Sequence, residues 1–225
     1  MQTPDKPSQQ SELNTPMLVR PLEKTFGYPI ASAADIWTIG MAIFDILGRG
    51  KLFQDCWPDE DTVVLEAIST FGPLPPKMWQ AWPNRSKYFK DDGSWQDENP
   101  LESRISRPLA HRLRDCMEHE ACSKIYGYSD MELRSLEKML RSMLQYEPNN
   151  RITVDQALGS EWARDYGIPA LLKAVPDVDL SSLGVNQTVG AEKQSQIGVG
   201  RISRILPGDL HRTGSNVEGP PNQLI

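Results

Sequence analysis

Apolar residues are densest between Ser32 and Leu47. There Ala33, Ala34, Ile36, Trp37, Ile39, Met41, Ile43, Phe44, Ile46 and Leu47 leave almost no polar face. The run is helix-length, and a helix that is hydrophobic all round is expected at the centre of a domain rather than on its surface. Gly48 is a natural stop for it. One acid, Asp35, sits near its start, and a carboxylate buried there needs hydrogen-bond donors. A second helix is predicted at about 61–71, where Val64, Ala67, Ile68 and Phe71 share one face. Asp59, Glu60 and Asp61 stand at its opening, where the helix dipole favours acids. Gly72-Pro73-Leu74-Pro75-Pro76 ends it, and a short helical turn is expected at 77–82. Residues 83–108 are polar, contain three prolines and read as a long loop of the kind that is often functional.

The clearest helix begins at Ser129, which with Glu132 has the spacing of a capping box. Leu133, Leu136, Leu140 and Met143 then recur at helical spacing up to about Gln145, before Pro148 stops the helix. Thr153 and Gln156 form a second capping box, opening a short helix that ends at Gly159. No strong hairpin or βαβ pattern appears. The fold class is mainly α, with the core expected in 17–175. Residues 1–16, rich in Pro, Ser and Gln, and 176–225, without an aromatic residue, are expected to be flexible.

Composition narrows the function classes. Of the 225 residues, 39% are hydrophobic, which supports a core, and the net charge of −6 argues against a general nucleic-acid binder. Cys56, Cys116 and Cys122 lack paired spacing and read as reduced thiols, neither a disulfide framework nor a zinc site. No apolar run reaches the ~18 residues of a membrane span, and the first ten residues lack the apolar core of a signal peptide. A cytoplasmic or nuclear protein is expected.

Four motifs follow in fixed order: Arg20-Pro21-Leu22-Glu23, then Asp35-Ile36-Trp37-Thr38-Ile39-Gly40, then Phe71-Gly72-Pro73-Leu74-Pro75, then Tyr146-Glu147-Pro148-Asn149-Asn150-Arg151-Ile152-Thr153. Their order and spacing resemble the C-terminal half of the large lobe of eukaryotic Ser/Thr protein kinases. The likeness is greatest to the SR-protein-kinase-like branch and its fungal members, where Leu-Glu stands in place of Pro-Glu. It covers about residues 17–170. It implies that Glu23 and Arg151 form a buried ion pair tying the end of the activation segment to the lobe. It implies that Asp35 accepts backbone N–H groups from the catalytic loop, with Trp37 as part of the same scaffold. These are structural roles, and no catalytic residue can be named.

Phosphoryl transfer in kinases needs a Gly-rich loop, a strand lysine, an H-R-D catalytic loop and a D-F-G magnesium ligand. All precede the Asp-Ile-Trp helix in the family, and the 34 residues before Asp35 contain none of them. ATP and Mg²⁺ are therefore implied for the full-length family, with no cofactor or metal ligand assigned in these residues. Asp91-Asp92-Gly93, His211-Arg212-Thr213 and Gly48-Arg49-Gly50-Lys51 are chance matches by position or by missing residues.

In SR-protein kinases, acids at the opening of the equivalent helix help to dock arginine-rich substrates, which makes Asp59, Glu60 and Asp61 candidate docking residues. Carboxylates pair well with guanidinium forks. The ordinary alternative for all three is charge stabilisation of the helix N-terminus. Two functional readings result. In one, the sequence is part of a longer Ser/Thr kinase and supplies scaffold and peptide-docking helices. In the other, it is a non-catalytic, kinase-derived binding or remnant protein. Without the segments that the family packs on the central helix, a large apolar patch would face water and invite a partner.

Overall fold

The computed structural model describes residues 15–48, 50–96, 107–118 and 127–179. Most of the two segments expected to be flexible, 1–14 and 180–225, lies outside them, as do Cys122 and the chance match at His211. The described residues are helical. A 3-10 turn at Met17–Val19 leads into α1 (Leu22–Thr25), α2 (Ala33–Gly48), α3 (Glu60–Phe71) and α4 (Pro76–Ala81). Then come α5 (Leu109–Glu118), α6 (Asp130–Met143), α7 (Val154–Leu158) and α8 (Ile168–Ala174). Short 3-10 turns at Arg85–Lys87 and Pro148–Asn150, and a π-turn at Ala163–Gly167, join them.

α2 is the hub. It packs against α5 and α6, and its Ile36, Trp37, Met41 and Phe44 enter one core with Val63, Val64 and Ala67 of α3 and Leu136, Met139 and Leu140 of α6. Gly40 permits the close approach of α2 to α6. A Cβ there would lie 3.0 Å from Leu144 Cδ2 and 3.3 Å from Met143 Cβ, so a larger residue requires Leu144 or Met143 to give way.

The centre of the fold is not sealed around α2. Asp35, Ile39, Ala42 and Ile46 are exposed, Ile39 to 45% and Ile46 to 75%. They succeed one another at four, three and four residues and so form one stripe along the helix. This corrects the expectation of a buried Asp35. Its side chain meets water and makes no hydrogen bond among the described residues. The all-round apolar pattern has one face that nothing described here covers.

The caps follow local chemistry. Thr153 and Gln156 close a full capping box on α7. Asp59 and Thr62 form an unforeseen one on α3, in which Thr62 N–H donates to Asp59 Oδ1 at 2.7 Å. On α6, Ser129 Oγ accepts from Glu132 N–H at 3.2 Å, and the return pull of the Ser129 backbone N–H on the Glu132 carboxyl is outweighed by burial, which pushes that carboxyl above its usual range. The predicted loop 83–108 contains order where it is described. Phe89 and Trp95 bridge antiparallel around a turn in which Gly93 takes φ +82°. Asp92 Oδ1 accepts from Ser94 N–H and Oγ–H in that turn, so the Asp-Asp-Gly match is turn chemistry.

Candidate functional site

The four motifs, up to 128 residues apart in sequence, meet in one cluster. Arg151 is its centre. Its guanidinium donates from Nη1 to Glu23 Oε1 and from Nη2 to Glu23 Oε2, both at 2.7 Å. The two side chains are 0% and 1% exposed. Nη1 also donates to the Ala33 carbonyl at 2.8 Å, and Nε to the Gln145 carbonyl at 2.9 Å. A planar fork with five donors suits such a site, because bidentate pairing and backbone acceptors satisfy it together. Arg151 thus ties α1, the start of α2 and the turn after α6.

Trp37 lies beside the pair, with the Arg151 guanidinium carbon 5.1 Å from its ring centroid. Phe71 meets Trp37 edge-on at 5.6 Å and Tyr146 edge-on at 6.1 Å. Such aromatic pairs add stability beyond their buried area. Tyr146 O–H donates to the Gly72 carbonyl at 2.7 Å, and burial pushes its phenol far above the usual range. Gly72 takes φ +98° at the end of α3, a conformation that glycine adopts without strain. The first motif thus meets the fourth through Glu23, the second meets the third and fourth through Trp37, and the third meets the fourth through Phe71 and Gly72.

A second buried guanidinium was not legible in the sequence. Arg112 of α5 donates from Nη1 to the Leu52 carbonyl at 2.6 Å and to Glu66 Oε2 at 2.7 Å. Its Nη2 donates to Ser69 Oγ at 3.0 Å and its Nε to the Arg107 carbonyl at 2.8 Å. Burial outweighs the attraction of Arg112 and holds the Glu66 carboxyl above its usual range.

The three acids at the opening of α3 have different environments. Asp59 caps the helix through Thr62, and those hydrogen bonds hold its carboxyl below its usual range. Asp61 accepts from Trp82 Nε1–H at 2.7 Å and from Asn84 Nδ2–H at 2.8 Å, with Tyr88 O–H at 3.4 Å. It anchors the segment after α4 to α3. Glu60 is exposed, and its side chain has no partner among the described residues. The three acids border an open cleft of about 390 Å³ between the end of α1, the opening of α3 and the turn at Trp82, with Phe26 and Val64 in its wall. Among the described residues no group of three or more His, Cys, Asp or Glu is placed to hold a metal ion. No described helix is long and apolar enough to cross a membrane.

The helical architecture and the motif cluster are consistent with a likeness to the C-terminal part of a protein-kinase large lobe. No protein-family model matches the chain, but curated protein kinases do. It is 31% identical over 124 residues to dual specificity protein kinase CLK2 of Homo sapiens, covering 55% of this chain and 22% of that protein. It is 23% identical over 151 residues to a serine/threonine protein kinase of Aspergillus fumigatus, covering 65% and 35%. Dual specificity protein kinase lkh1 of Schizosaccharomyces pombe matches at 25% over 129 residues, covering 55% and 17%. The chain thus spans between about a sixth and about a third of the length of these relatives.

Proposed function

We propose that the chain works as the scaffold and peptide-docking portion of a Ser/Thr protein-kinase-like domain, which phosphorylates protein substrates with ATP and Mg²⁺ in the cytoplasm or nucleus. The meeting of the four motifs in one cluster around Arg151, Trp37 and Phe71 supports this reading best. In it, 17–175 is the partial domain, and 1–16 and 176–225 are its flanks. The Glu23–Arg151 pair fixes the end of the activation segment. Asp35 faces water here, where it is open to accept backbone N–H groups of a catalytic loop. The stripe of Ile39, Ala42 and Ile46 is the surface on which the rest of the lobe packs. ATP, magnesium and the catalytic base belong to other parts of such a domain, and no residue here is assigned to them. Arg/Ser-rich segments are the proposed substrate class, docking at the Asp59–Asp61 edge. Because Asp59 and Asp61 are held by Thr62, Trp82 and Asn84, most of the docking contribution falls to Glu60.

The same exposed stripe favours a second reading, a non-catalytic binding protein whose apolar face is covered by a separate partner. The intact mass of the endogenous protein, captured with an antibody to 129–160, separates the two. A mass well above 25.3 kDa, with ATP-dependent phosphorylation of serine peptides by the captured protein, supports the kinase reading. A mass near 25.3 kDa and no transfer overturns it in favour of the second.

A further inference from the structure

We draw no further inference here: the strongest candidate, the surface stripe of Ile39, Ala42 and Ile46 along α2, carries nothing beyond the packing already proposed because nothing in the structure shows what covers it, and Trp57, 90% exposed before the opening of α3, makes no contact among the described residues that points to a ligand.

Discussion

Arg151 and Arg112 are both buried arginines, each facing a glutamate and backbone carbonyls, yet they hold the fold in different ways. Arg151 meets Glu23 through two equal bonds of 2.7 Å, with both side chains sealed from water. Arg112 meets Glu66 through one bond, and the glutamate keeps 15% of its side chain exposed. A sealed bidentate pair has no way to relax when one partner is lost. An edge-exposed carboxyl already pushed upward by burial can take up a proton instead. The first is an all-or-none clamp, and the second is a joint with a fallback.

The comparison makes its strongest demand on Arg151→Ala. Stranding the Glu23 carboxylate should cost ~3–5 kcal/mol, measured by urea unfolding followed by far-UV circular dichroism. A loss below 1 kcal/mol would erase the distinction. Arg112→Leu should cost less, about 1.5–3 kcal/mol, the worth of hydrogen bonds to a charged group. Its loss should also depend on pH. With Arg112 gone, the Glu66 carboxyl is raised further above its ordinary 4.5. Below pH 4.5 both folded and unfolded chains carry the proton, and the carboxylate penalty is absent. It develops as pH rises through the raised folded value. A pH series of midpoints for Arg112→Leu against the parent should diverge upward from about pH 4.5, and parallel curves would argue that Glu66 has no fallback.

Two smaller effects sharpen the picture around the Arg151 side. Gly40→Val should cost about 1–3 kcal/mol by requiring Leu144 or Met143 to give way, read as a lowered thermal midpoint. The smallest effect concerns the cap on α3. Asp59→Ala should cost ~1 kcal/mol. Asp59→Asn, which keeps the cap without the charge, should flatten the loss of stability that sets in as pH falls below the ordinary 3.8 through the lowered folded value. Equal acid sensitivity in parent and Asp59→Asn would assign that slope to other carboxylates.

The two arginines also differ in how visible they were. Arg151 stands in a motif, after a capped helix and before another, and its partner Glu23 stands in a second motif. Arg112 carries no such mark. On α5 it occupies a buried position between Leu109 and Leu113, so the helix reads as a polar stretch with two leucines and was not anticipated from periodicity. The amphipathic α3 and α6 were legible from their apolar spacing, and α7 from the Thr153–Gln156 cap. The open face of α2 was foreseen only through the resemblance, which implied an apolar patch facing water without the family's other segments; the pattern, apolar nearly all round, could not show that Asp35, Ile39, Ala42 and Ile46 are the residues left open. Among the acids, dipole reasoning placed all three at the opening of α3. It could not reveal that Trp82 and Asn84 fold back to occupy Asp61 and leave Glu60 open.

Trp57 has a practical consequence. The chain has six tryptophans, and Trp57 alone among them is fully in contact with solvent, while Trp37 and Trp82 are sealed and the other three are partly covered. Its fluorescence therefore forms the red edge of the emission spectrum, and a small neutral quencher such as acrylamide reaches it first. Light from that edge reports on the opening of α3 without any attached dye, while the blue edge reports on whether the central helices are still packed.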